Sequence, residues 1–347
     1  MRIAAVPDGP VERLGLLLNK LPTPIGEAMY SMPIARSLQV AQRTGILPAL
    51  AEGPRDPGEL AEHLGLQKTG TVRVLDVIAS LGHVRQLPDG RYEMTKSGRP
   101  WLDPRSDTYL GDFLADTAYY WDWYARLEDL VRDGTHAELH GKGPDDPYWQ
   151  SYIRGQYQIA RLSSAEVAKA IPLARGAGAV LDVAGAHGEF SMALCRRHEG
   201  LQATIVDLPG SARVGEQIVA EAGMSDRVNH LVGDMFEVDY GGPYDGALCF
   251  NIIHHLSPEQ MRTLFSRVRA ALQPGAPLAV LDLYDRPAGQ RATLASILGL
   301  FFHLTSGADT YTVEEVSRWM GESGFGSVET KSFRTLPDLR LLIAKAV

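Results

Sequence analysis

From residue 179 onward, apolar positions alternate between short solid runs and stretches with a 3.6-residue period. Ala179–Val183 is an apolar run of the kind that makes a buried parallel strand. The small residues Ala184-Gly185-Ala186-His187-Gly188 follow. Then comes an amphipathic helix from Glu189 to His198, apolar at 190, 193 and 194, with bases in its last turn. A second strand through Thr204, Ile205 and Val206 ends in Asp207. The alternation continues with a helix over 211–222 and strands over 228–232 and 244–250. A helix opened by Ser257-Pro258-Glu259 runs to Leu272, and a strand over 277–283, a helix over about 312–323 and a strand over 339–344 follow. Strands and helices alternating in this way predict an α/β domain with a doubly wound parallel sheet. Ligands bind beyond the carboxyl ends of such strands. Asp182 to Gly188, Asp207, Asp234, Asn251 to His255 and Asp282 are therefore predicted to converge on one cleft.

The first hundred residues have a different pattern. A helical period runs from Ile34 to Leu50. Asp56-Pro57-Gly-Glu59 opens a second helix that ends at Leu64-Gly65, and a third runs from about Thr69 to Leu81. Val84–Leu87, the turn Pro88-Asp89-Gly90 and Arg91–Thr95 then read as a hairpin. Three helices and a hairpin predict a winged helix, preceded by a proline-containing arm over residues 1–24. Residues 106–175 read as helical and rich in aromatics, with Tyr109, Phe113, Tyr119, Tyr120, Trp121, Trp123 and Tyr124 crowding one stretch. Such density makes core or interface, and part of it is predicted to line a pocket for an apolar or aromatic ligand. The division is thus 1–105, 106–175 and 176–347.

Composition narrows the function. With 45% hydrophobic and 22% charged residues, the 347-residue chain is an ordinary globular one. Its 34 basic and 42 acidic residues give a net charge of −8, which speaks against nucleic acid as a partner. The winged-helix segment 25–105 is no exception, with ten bases against nine acids. It is predicted to serve packing or dimerisation. Cys195 and Cys249 sit in apolar settings and read as buried thiols of a reducing compartment. The longest apolar stretch, Leu294 to Leu304, is far shorter than the ~20 residues of a membrane span, and no signal-peptide core is present. A cytoplasmic protein is expected.

The loop at 184–188 lacks the G-x-G-x-x-G spacing of a dinucleotide site, and no P-loop is present. Asp207 stands 19 residues past Gly188, where an acid can accept both ribose hydroxyls. These features favour a nucleoside without phosphates.

With these motifs the chain resembles the S-adenosylmethionine-dependent O-methyltransferases that carry a winged-helix dimerisation domain, found among plant phenol methylases and bacterial polyketide-tailoring enzymes. The resemblance runs from about residue 30 to the end and implies a Rossmann-like class I methyltransferase fold. The family's Leu-Asp-Val-Gly-Gly-Gly-x-Gly loop is here Leu181-Asp182-Val183-Ala184-Gly185-Ala186-His187-Gly188. The family's Asp-Leu-Pro is Asp207-Leu208-Pro209, with the acid on the ribose. Its Gly-Asp-Met-Phe is Gly233–Phe236, with Asp234 and Met235 at the adenine. The resemblance implies cofactor contacts from Asp182, Gly185, Gly188, Asp207, Leu208, Asp234, Met235 and Asn251. It selects His254, in Ile253-His254-His255-Leu256, as the general base, with Asp282 as its acid. The family's second acid falls near Thr310, with Glu314 and Glu315 close by. A homodimer is implied as well.

Methyl transfer from a sulfonium mainly requires alignment of acceptor, methyl and sulfur. A neutral hydroxyl also needs its proton removed, which a histidine can do near neutrality. The expected acceptor is a small hydrophobic or aromatic secondary metabolite, with Tyr120, Trp121 and His303 as the residues to meet it. His187 reads as a turn residue, and His255 as a histidine at a helix entry. No metal is expected. Two alternatives are carried forward. One is iron-assisted C-methylation of a 2-oxo acid, with His254, His255 and His303 as ligands together with Asp282. The other is a non-catalytic cofactor-binding or winged-helix regulatory protein.

Overall fold

The computed structural model describes residues 7, 9–138, 141–285, 294–333 and 339–347. The chain forms two compact units, Met1–Ala118 and Tyr119–Val347.

The first unit contains α1 (Pro10–Leu17), α2 (Thr23–Arg43), α3 (Ile46–Ala51), α4 (Pro57–His63) and α5 (Lys68–Ser80). The strands β1 (Val84–Gln86) and β2 (Tyr92–Met94) follow, then α6 (Arg99–Leu102) and α7 (Gly111–Asp116). The helical period of 34–50 is not one helix. Gly45, at φ 83°, breaks it in the left-handed region, and the part before it starts earlier, at Thr23, passing through Pro33. Asp56 caps α4 as its sequence predicts, accepting from the N–H groups of Gly58 and Glu59. β1 and β2 pair antiparallel across the Asp89-Gly90 turn. Of the arm over 1–24, residues 1–6 and 8 lie outside the described residues. The rest contains α1, whose Val11, Leu14 and Leu17 are exposed, and the first two residues of α2.

The second unit begins with α8 (Tyr120–Tyr124), α9 (Leu127–Asp133), α10 (Tyr148–Arg161) and α11 (Ser164–Ala170). The sheet domain then runs β3 (Ala179–Val183), α12 (Glu189–Arg197), β4 (Gln202–Asp207), α13 (Pro209–Glu221), β5 (Val228–Val232) and β6 (Ala247–Phe250). It continues with α14 (Pro258–Ala271), β7 (Pro277–Leu283), α15 (Leu294–Ser306), α16 (Val313–Glu322), β8 (Glu329–Ser332) and β9 (Leu339–Lys345). Among the described residues the sheet has seven strands in the order β5-β4-β3-β6-β7-β9-β8.

The first five strands are parallel, but β9 runs antiparallel to β7, and β8 antiparallel to β9. The doubly wound parallel sheet expected from the pattern is present, with two antiparallel strands added at one edge. The strand that the pattern did not show, β8, is Glu-Thr-Lys-Ser, a charged edge strand with no apolar face to read. Successive residues of the central strands enter opposite cores. Val180, Ile205, Leu248 and Leu281 pack with α10, α12 and α13, while Leu181, Val206, Cys249 and Val280 pack with α14 and α16. All seven residues of β7 are buried, as a strand covered on both faces requires. This core fixes the strand ends, from which the site is built.

Candidate active site

A cleft of about 310 Å³ opens at the carboxyl ends of β3, β4, β5 and β6. The loop residues Ala184 and Ala186 form one wall. Asp207, Leu208 and Ser211 follow from β4 and α13. Asp234, Met235 and Phe236 follow β5, and Asn251, Ile252 and His255 follow β6. Trp149, Tyr152 and Ile153 of α10 close the remaining side.

Asp207 is held in place by the backbone. Its Oδ2 accepts from the Ala186 N–H at 2.8 Å and its Oδ1 from the Leu208 N–H at 2.7 Å. Burial pushes its pKa up, and these two donors, with the Ser211 hydroxyl, pull it back. Asp234 accepts from the Phe236 N–H at 2.7 Å, which folds the Gly233–Phe236 turn toward the cleft. The lining contains no lysine or arginine among the described residues. A carboxylate at a strand end, a slab of Leu208, Met235 and Phe236, and no cation for phosphate together fit a nucleoside such as that of S-adenosylmethionine.

Three of the expected cofactor residues shape the loop without lining the cleft. Asp182 is buried beneath it, accepting from Ser191 Oγ at 2.6 Å, and burial pushes its pKa up to about 7. Gly185 lies against that carboxyl so closely that a Cβ would overlap it. Gly188 begins α12. His187 is a turn residue. Its Nδ1 accepts the Glu189 N–H at 3.1 Å, and burial lowers its pKa to about 3, so the ring is neutral.

Beside the cleft, a 3₁₀ turn over Ile253–His255 presents two histidines, their ring centres 4.2 Å apart. His255 lines the cleft, whereas His254 lies behind it, 5% exposed. His254 Nδ1 lies 2.7 Å from Asp282 Oδ1. Asp282 also accepts the N–H of Leu283 at 2.7 Å and that of Ile253 at 3.2 Å. An acid taking backbone donors on both oxygens accepts from the imidazole, so Nδ1 carries the proton and Nε2 keeps a lone pair. Phe302 of α15 stacks on the His254 ring at 3.6 Å between centres, 15° from parallel.

The next residue back, Phe301, faces Tyr120 at 4.6 Å and Trp123 at 5.8 Å. Trp123 meets Tyr148, which stacks on Tyr152 at the cleft wall. Aromatic rings thus run without a break from the histidine to the cleft. Tyr120 belongs to this run, and Trp121 is half-buried next to it.

His303 does not join it. Its Nδ1 lies 3.0 Å from the Ala308 carbonyl, with Asp309 at 3.6 Å. No set of three His, Cys, Asp or Glu side chains that could hold a metal occurs among the described residues. Near the family's second position, Glu315 and Thr310 have partners of their own. Thr310 bonds Asp285, and Glu315 closes a capping box with Thr312 at the start of α16.

The sequence did not single out Phe301, Phe302, Trp149 or Tyr152. Trp149 and Tyr152 do lie in the aromatic-rich segment 106–175, part of which is predicted to line a pocket. Trp149 packs where a Cβ on Gly210 would overlap its indole, and it donates to the Gly143 carbonyl at 2.9 Å.

A sequence profile of the O-methyltransferase domain matches residues 124–326, more than half of the chain. The chain is 26% identical over 320 residues to the 3-hydroxy-5-methyl-1-naphthoate 3-O-methyltransferase of Streptomyces sahachiroi, covering 90% of this chain and 92% of that protein. It is 27% identical over 304 residues to the tetracenomycin polyketide synthesis 8-O-methyl transferase of Streptomyces glaucescens, covering 85% and 89%. The structure of human N-acetylserotonin methyltransferase, solved in complex with S-adenosylmethionine, superposes with a TM-score of 0.82 at 17% identity, covering 99% of both chains, and so shares the fold. The chain therefore belongs to the O-methyltransferase family and is an S-adenosylmethionine-dependent methyltransferase with the class I fold.

Proposed function

We propose that the protein methylates a hydroxyl group of a small hydrophobic or aromatic secondary metabolite, with His254 as general base and Asp282 as the acid that orients it. The observation that carries this reading is the buried 2.7 Å pair between His254 Nδ1 and Asp282. It leaves Nε2 as the proton acceptor, as transfer to a hydroxyl requires and transfer to a free amine does not. S-adenosylmethionine supplies an electrophilic methyl group when bound. On this reading Asp207 and Leu208 hold its ribose, Asp234 and Met235 border its adenine, and Asn251 lies near them. Asp182, Gly185 and Gly188 set the loop that takes its methionine part. Tyr120, Trp121 and the rings around Phe301 offer flat apolar surface to an aromatic acceptor.

The Streptomyces relatives, whose names specify methylation of naphthoate and polyketide oxygens, support this substrate class. In the first unit, Leu14, Leu17, Ile25, Met29 and Met32 are exposed, which supports a homodimer that covers them. No helix among the described residues is long and apolar enough to cross a membrane.

The test is a panel of phenols, aromatic polyketides and 2-oxo acids with methyl-labelled S-adenosylmethionine. Methyl ethers from the first two groups are the expected products. Label found only in C-methylated 2-oxo acids would overturn the proposal.

A further inference from the structure

The loop after β3 holds two alanines in the left-handed region, Ala184 at φ 58° and Ala186 at φ 43°. An L side chain is strained there, so the conformation persists only if its surroundings enforce it. The peptide groups flanking Ala186 are gripped on both sides. The Ala186 N–H donates to Asp207 Oδ2 at 2.8 Å, and its carbonyl lies 2.8 Å from His230 Nε2. A carbonyl has no proton to give, so His230 donates through Nε2–H. His230 stands on β5 opposite Ile205, and Asp207 lies two residues further along β4, so both grips are mounted on one pair of neighbouring strands. Gly215 of α13 completes the arrangement. A Cβ there would overlap both the Ala186 carbonyl and the His230 ring.

We infer that His230 is a positioning residue for the cofactor: with Asp207 it clamps the backbone at Ala186 and replaces the conformational freedom that glycine would give at that position. Ala184 and Ala186 line the cleft, so the clamp sets the shape of the wall against which the cofactor lies. The inference rests on reading this cleft as the S-adenosylmethionine site. His230 itself does not line the cleft, so it acts through the loop.

The experiment measures S-adenosylhomocysteine affinity by calorimetry and amide hydrogen exchange at 184–188 in the ligand-free protein. It compares the wild type, His230→Ala, His230→Gln, Ala186→Gly and the double variant His230→Ala/Ala186→Gly. Loss of one such hydrogen bond weakens binding by roughly three- to tenfold in His230→Ala and speeds exchange in the loop. His230→Gln, which keeps an N–H donor, retains most of the affinity. Adding Ala186→Gly to His230→Ala restores binding, because glycine reaches this φ without strain. Gly215→Ala pushes on the same carbonyl from α13 and weakens binding in turn, a second route should His230→Ala not fold.

The clamp is overturned if His230→Ala binds as tightly as the wild type with unchanged exchange, or if Ala186→Gly gives no recovery. Failure of the wild type to bind S-adenosylhomocysteine would instead overturn the reading of the cleft, and the exchange comparison would still judge the clamp.

Discussion

The cleft and the histidine behind it are built by different means. On the side of β3, β4 and β5, the shape is set by the backbone: a left-handed loop, N–H groups on Asp207, and glycines where a neighbour comes too close. Behind the cleft, at β7 and α15, the geometry is set by three side chains, with His254 held at one edge by Asp282 and on one face by Phe302. A backbone-built site depends on atoms missing from side chains, and a side-chain-built site on atoms present in them. The first is therefore expected to fail through binding and the second through turnover.

Replacement of Asp282 sharpens this contrast most. Asp282→Asn keeps the shape but removes the carboxylate that fixes the Nδ1–H tautomer. The rate of methyl transfer is expected to fall by about 10²-fold or more while S-adenosylhomocysteine affinity stays within a factor of two or so, measured by single turnover and calorimetry. An equal fall in both would break the comparison. Gly185→Ala is the reverse case. Its Cβ would overlap the Asp182 carboxyl, so affinity is expected to drop by about tenfold or more, with stability lower by about 1–3 kcal/mol. Unchanged affinity and midpoint of unfolding would contradict the crowding seen at that position.

Phe302→Ala leaves His254 its acid but removes the ring that stacks on it. A fall in kcat of roughly three- to tenfold is expected, with little change in KM for S-adenosylmethionine and partial recovery in Phe302→Leu.

The last prediction is one of stability and concerns Asp182. Burial raises its folded-state pKa to about 7, above the ~3.9 of an unfolded aspartate. Between these values the folded chain binds the extra proton, so this group makes the protein lose stability as pH rises from about 4 to 7. Asp182→Asn, uncharged throughout, removes that loss. The difference in unfolding free energy between pH 5 and pH 8 should shift in this direction relative to the wild type, and identical differences would contradict the assignment.

The same contrast explains what the sequence disclosed. Side-chain chemistry at strand ends was legible: Asp207, Asp234, His254 and Asp282 stand out as polar residues where apolar runs stop. So was the alternation that makes the sheet, because β3, β6 and β7 are buried on both faces and read as solid apolar runs. The backbone's part was not legible. Two alanines stand where the family's loop has glycines, and nothing in a linear pattern shows that His230 and Asp207 grip the second of them. The edge strand β8 escaped because charge hides a strand that has no core face. Phe301 and Phe302 were part of an apolar stretch whose period cannot say which face meets a histidine. His303, in the same stretch, turns to the 308–309 loop because its Nδ1 finds a carbonyl one turn away.

The central claim is that His254, oriented by Asp282, removes the acceptor's proton beside a cofactor site that is built independently of it. Single-turnover methyl transfer by His254→Gln, with S-adenosylhomocysteine binding measured on the same protein, tests it most directly. The prediction is wild-type affinity with transfer slowed by about 10²- to 10⁴-fold. Transfer at the wild-type rate would contradict it.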